Sequence, residues 1–100
     1  MVKHIVMWKL KQRAEGYNKE QNAERIKYAL EELPKHIPQI QRLEAGINQN
    51  ESEAAFDVAL YSEFSDWESL EIYQQHSKHE QFKQFIAPLR SDRVVVDYEI

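Results

Sequence analysis

Tyr73, His76 and His79 follow one another at three-residue steps, and each carries a group that can hold or pass a proton. Across a helix or a helix end, that spacing directs all three towards one pocket. An imidazole with an ordinary pKa of about 6.5 exchanges a proton near neutral pH, and a phenol can orient or protonate a developing enolate. A fourth candidate, His4, lies on a strand face shared with Val6 and Trp8. If that face meets the helices, His4 borders the interior. One chemistry open to these residues is proton transfer on a small carbonyl compound without a cofactor, the other being passive binding of a ligand. A purely structural reading is equally concrete. A histidine in the first turn of a helix commonly bonds a loop carbonyl, and a tyrosine at a helical core position commonly packs. Metal binding is the competing chemistry: His76 and His79 have i, i+3 spacing, and Asp57 can offer a carboxylate. Without a firm third ligand the expectation is no metal site, with Asp57 instead hydrogen-bonded at a seam of the fold. Trp8, His76 and Phe82 are the candidate ligand-contacting residues, joined by Trp67 and Phe85 as aromatic groups whose default role is packing. His36, between Pro34 and Pro38, reads as a surface residue.

The elements that must position these groups follow from periodicity. Val2 to Lys11 alternates, with Val2, His4, Val6, Trp8 and Leu10 on one face and Lys3, Ile5, Met7, Lys9 and Lys11 on the other, which predicts a strand. Arg13 to Asn18 reads as a loop. Ala23, Ile26, Leu30 and Leu33 recur at helical steps from Lys19 to Leu33, and Pro34 and Pro38 stop that helix. Ile37 and Ile40 are expected to pin its exit to the core. A weaker strand spans Gln41 to Asn48, and a stronger one Ala55 to Phe64. Ser65 with Glu68, and Ser77 with Glu80, have the spacing of capping boxes that open two short helices. The chain closes with an alternating strand from Arg93 to Ile100.

This β-α-β-β-α(α)-β order, with no repeat, linker or low-complexity tract, predicts a single α+β domain over residues 1–100. The expected form is a ferredoxin-like plait: a four-stranded antiparallel sheet with its helices on one face. The first and third of these strands are central and apolar on both faces, yet helices can cover only one. An open apolar sheet face of several hundred Å² marks an interface, so the expected partner is a second copy, giving a homodimer.

Composition removes several function classes. Apolar residues make up 42% and charged residues 30% of the chain, and the formal net charge is −4. That balance suits a folded globular domain. Basic residues are interleaved with acidic ones, so nucleic acid is not an expected partner. There is no apolar run near the length of a membrane span and no signal-peptide pattern, which predicts a cytoplasmic protein. With no cysteine there are no disulfides and no thiol nucleophile. Only Gly16 and Gly46 are present, so no glycine-rich phosphate cradle exists, and no cofactor is expected.

Four stretches carry a resemblance. Lys3-His4-Ile5-Val6-Met7-Trp8-Lys9-Leu10, Phe56 to Phe64, Tyr73 to Phe82 and Val95-Val96-Asp97-Tyr98-Glu99 resemble, in order, segments of the stress-responsive A/B barrel (Dabb) family. Tyr73 to Phe82 is similar to its Tyr-x-x-His-Pro-x-His-x-x-Phe signature, with Ser77 where the family usually has proline. The resemblance implies a dimeric α/β barrel and a link to stress response. Most of the family has no assigned reaction. A plant branch folds polyketide chains into aromatic rings with a Tyr and a His of this signature. On that analogy His79 is the base, Tyr73 the acid or orienter, and His4 a support. Three roles follow as expectations. One is a dimer that binds a small apolar or carbonyl-containing molecule. The second is a cyclase-, isomerase- or lyase-type enzyme, and the third a structural assembly protein.

Overall fold

The computed structural model describes residues 1–100. Its strands are β1 (Val2–Leu10), β2 (Arg13–Ala14), β3 (Tyr17–Asn18), β4 (Arg42–Ile47), β5 (Val58–Phe64) and β6 (Arg90–Glu99). Its helices are α1 (Lys19–Glu32), followed by a 3-10 turn at Leu33–Lys35, then α2 (Trp67–Gln75) and α3 (Ser77–Ile86). The main sheet has the order β4-β5-β1-β6 and is antiparallel throughout. The two strands expected to be central, β1 and β5, are central. This is the ferredoxin-like α+β plait.

One face of the sheet carries the core. Val2, Val6, Trp8 and Leu10 of β1 and Val58, Leu60 and Phe64 of β5 meet Ile26 and Leu30 of α1, Leu70 of α2, and Phe82 and Ile86 of α3. All are buried, and Ile37 and Ile40 close the exit from α1, as expected. The opposite face has no helix on it. Cross-strand register places Lys3, Ile5, Met7 and Lys9 beside Tyr98, Val96, Val94 and Asp92, and Ile5 and Met7 beside Tyr61 and Ala59. Met7, Val94, Val96 and Tyr98 are all exposed. The helix layer also stops short of β6, whose ten residues are all exposed.

Local details correct three expectations. Arg13 to Asn18 is a small hairpin rather than an irregular loop. Glu15 and Gly16 both take positive φ (53° and 86°), the two left-handed residues of a tight two-residue turn. The buried Asn22 side chain donates to the carbonyls of Ala14 and Tyr17, fastening that hairpin to α1. Neither expected capping box forms. Asp66, not Ser65, caps α2, its carboxylate accepting from the Ser69 N–H at 2.8 Å. A full charge is the better acceptor at the positive end of a helix. His76, not Ser77, caps α3: its Nδ1 accepts from the Lys78 N–H at 3.0 Å. Ser77 thus occupies the first helical position, where proline is also favoured. The box that does form is Asn18 with Gln21, at the start of α1. The flanking strands also shift in extent: β5 begins at Val58 rather than Ala55, and β6 begins at Arg90 rather than Arg93.

Candidate functional site

The break between α2 and α3 builds the site. In a continuous helix the Lys78 N–H would donate to the carbonyl of Gln74. Here the His76 ring takes that N–H, and the Gln74 carbonyl becomes one of the orphan acceptors of a helix end. His79 fills the vacancy: its Nδ1 stands 3.1 Å from the Gln74 oxygen. A carbonyl only accepts, so Nδ1 bears the proton and Nε2 keeps its lone pair. The His79 ring lies against the Tyr73 ring with centroids 4.4 Å apart.

Tyr73 comes from the inner face of α2 and is 1% exposed. Its hydroxyl has no hydrogen-bond partner in the chain, yet no side-chain polar atom is sealed from solvent without a partner. The hydroxyl therefore opens onto the adjoining cavity. His4 rises from the middle of β1, its ring edge-on to Tyr73 at 5.9 Å and to Phe64 at 6.4 Å. Its Nδ1 is 2.5 Å from Oδ1 of Asp97 on β6, and register pairs the two residues directly. A carboxylate accepts, so His4 also presents its Nε2 as the free ring nitrogen.

Burial sets the protonation states. Desolvation lowers the His79 pKa from its ordinary value, reinforced by the positive charge of Lys83 and by His4, while the bond to Gln74 opposes it. The imidazole is thus neutral at physiological pH. Desolvation pushes the Tyr73 phenol far above its ordinary value, only partly offset by the positive charge of Arg93. Tyr73 therefore holds its proton and acts as a hydrogen-bond donor.

His4, Tyr73 and His79 line a single cavity of about 600 Å³ between sheet and helices. Trp8, Phe82 and Ile86 form its apolar wall, and Glu80, Lys83, Arg90 and Arg93 stand around it. Trp8 and Phe82 occupy the lining expected of them, their rings 5.8 Å apart. His76 does not. Its ring is committed to the α3 cap and lies outside the cavity lining, because the helix break turns it towards the Lys78 backbone. Trp67 also lies outside, half exposed, with Nε1 bonded to Glu99. Asp57 is engaged elsewhere: its carboxylate accepts from the Leu10 N–H at 2.8 Å and lies 3.5 Å from Lys19 Nζ. The trio His76, His79 and Asp57 is not brought together, and no three His, Asp or Glu side chains gather in ligating geometry. His36 is exposed.

Sequence reasoning missed Asp97 and the two arginines. Asp97 sits in an alternating strand where its acid reads as a solvent-facing group. Only the β1–β6 register shows that it faces His4.

The stress responsive A/B barrel domain (Dabb) matches residues 2–100. The chain belongs to this family. A dimeric protein of unknown function with a ferredoxin-like fold from Bacteroides fragilis NCTC 9343 is 35% identical. The match covers 99% of this chain and 95% of that one, with a TM-score of 0.87. A dimeric ferredoxin-like protein of unknown function from Thermobifida fusca yx is 24% identical, covering 99% and 90%, with a TM-score of 0.82. A hydroxynitrile lyase from Passiflora edulis shares the fold at 20% identity, covering 99% and 92%, with a TM-score of 0.83. No curated protein matches the chain by sequence. No helix of this Dabb protein is long and apolar enough to cross a membrane.

Proposed function

We propose that this Dabb protein is a homodimer, closed across the open sheet face, that binds a small carbonyl-containing molecule in the cavity between sheet and helices. The observation that carries the binding reading is the pair of uncommitted polar groups at the cavity surface. The Tyr73 hydroxyl has no partner in the chain, and His79 Nε2 is left free by the bond from Nδ1 to Gln74. A donor and an acceptor set among apolar walls suit a carbonyl group on an apolar skeleton. The volume, about 600 Å³, exceeds the roughly 300 Å³ at which small-molecule sites begin, which favours binding over a purely structural role. Dimer closure is supported by the exposed Met7, Val94, Val96 and Tyr98 and by the dimeric state of the Bacteroides and Thermobifida proteins. The test is isothermal titration with acetophenone and 2-octanone as probes. Binding that weakens in Tyr73→Phe supports the reading. Heat signals absent for both probes at millimolar concentration would rule it out.

A second reading follows from the protonation states: proton transfer without a cofactor. His79 Nε2, neutral and basic, takes a proton from the carbon beside the carbonyl. Tyr73 donates a hydrogen bond to the carbonyl oxygen as negative charge develops there. His79 then returns the proton to a different carbon, which accomplishes isomerisation. In ring closure the enolate carbon instead attacks a second carbonyl of the same molecule, whose C=O π bond opens to an oxyanion that takes the proton from His79. The Asp97–His4 pair is a support, holding the His4 ring against Tyr73. The Passiflora lyase is an enzyme built on the same fold, which is consistent with chemistry in such a frame. Exchange of the acetophenone methyl protons in D2O, followed by NMR, is the direct assay. The reading requires exchange above the buffer rate that disappears in His79→Ala while the dimer stays folded. An equal rate in wild type and buffer sinks it.

A further inference from the structure

Arg90 and Arg93 border the cavity with their guanidinium groups unengaged. None of the ion pairs of the chain includes either residue. Lys83, on the same rim, is already paired with Glu80 at 3.2 Å. A chain of net charge −4 thus keeps two unpaired cations at the edge of the cavity.

Their placement depends on an irregularity in the sheet. Arg93 stands opposite Trp8 and Asp92 opposite Lys9, as simple alternation requires. Continued alternation would put Arg90 on the open face. Instead the register shifts between Lys9 and Leu10, and Arg90 stands opposite Leu10. Trp8 and Leu10 both point to the helices, so the one extra residue, Ser91, returns Arg90 to the side of Arg93. Bulges commonly re-aim a side chain beside a site in this way.

The cavity therefore has three zones: the Tyr73 and His79 polar groups, the apolar wall of Trp8, Phe82 and Ile86, and a cationic rim. We infer that its occupant is an anionic carbonyl compound, with a carboxylate held by Arg90 and Arg93 and the carbonyl turned to Tyr73 and His79. This inference rests on reading the cavity as a small-molecule site. The planar donor fork of arginine matches a carboxylate. A phosphate cradle normally adds converging backbone N–H groups from a glycine-rich loop. The two glycines of this chain lie in the β2–β3 turn and in β4, away from the cavity.

The experiment compares 2-octanone with 7-oxooctanoate, which share a skeleton and differ by the carboxylate. Binding is read from Trp8 emission in a Trp67→Phe background, because Trp67 lies outside the cavity. The expected result is about tenfold or greater preference for 7-oxooctanoate, the scale of one charge-assisted hydrogen bond. That preference should collapse in Arg90→Gln/Arg93→Gln with 2-octanone binding unchanged. Equal binding of the two probes by wild type overturns the inference and leaves the cavity reading standing. Binding of neither probe overturns both. Displacement of 7-oxooctanoate by inorganic phosphate at concentrations where acetate is inert would overturn the carboxylate assignment.

Discussion

The two faces of the main sheet are built from the same strands and have opposite fates. On the helix side, Val6 and Trp8 of β1 are 1% and 3% exposed. On the other side, Met7, between them, is 40% exposed, and Val96 of β6 is 51% exposed. The residue types hardly differ, so composition does not explain the contrast. What differs is coverage: three helices fit over β4, β5 and β1, and nothing in the chain lies over the reverse side. The helix side stabilises the single chain, whereas the reverse side leaves Met7, Val94, Val96 and Tyr98 exposed, a patch of the kind that marks an interface. The polar groups divide the same way. Tyr73 and His79 sit where burial shifts their hold on a proton, with the buried His4 ring beside Tyr73. Lys3, Glu63 and Tyr61 form a surface cluster on the reverse side, with Lys3 2.8 Å and Tyr61 2.6 Å from Glu63.

Mutating each face should separate these roles. The largest effect is expected from Phe64→Ala, which empties a site of 0% exposure between β1 and α2. Loss of burial and the cavity left behind should lower unfolding stability by about 3–5 kcal/mol, read from urea denaturation. A loss under about 1 kcal/mol would mean that the helix face is not the main core. Next is Met7→Asp. In the middle of the open face it should leave far-UV circular dichroism intact but shift sedimentation from dimer to monomer at micromolar concentration. An unchanged dimer would place the interface elsewhere.

The smallest expected effect sharpens the contrast through pH. The folded pKa of His79 lies below its ordinary value because burial disfavours the charged ring. Below about pH 6.5 the unfolded chain therefore binds a proton that the folded chain resists, and stability falls as pH drops. The contribution is fully present above that range. In His79→Gln, whose amide can still donate to Gln74, this acid-side slope should flatten between pH 7 and 5. Chemical denaturation at several pH values measures it, and an identical slope in the variant would show that another group is responsible.

Much of this was legible in the sequence because it depends on local period. Alternation in β1 marked His4, Val6 and Trp8 as one face, and the steps of Ala23, Ile26 and Leu30 marked α1. The surplus of apolar residues on both faces of β1 and β5 marks the open side of the sheet. The grouping of Tyr73 with His79 followed from three-residue steps across a helix end. His76 shares that spacing but not the site, because a one-residue difference in where α3 begins turned its ring into the cap. Capping is a contest among neighbouring acceptors. Asp66 caps in place of Ser65 with the advantage of its charge, and His76 in place of Ser77 through backbone geometry that the residue types leave open.

By itself, then, the sequence determined the element order, the buried stripe of each element, and the two-sided apolar character of the central strands, since these follow from side-chain period and type. Only the tertiary structure decided which distant residues meet. Asp97 reaches His4 across 93 positions of chain, and Arg90 joins Arg93 on one face because the register slips by one residue beside Leu10. Both depend on strand register, which is set by the packing of the whole sheet.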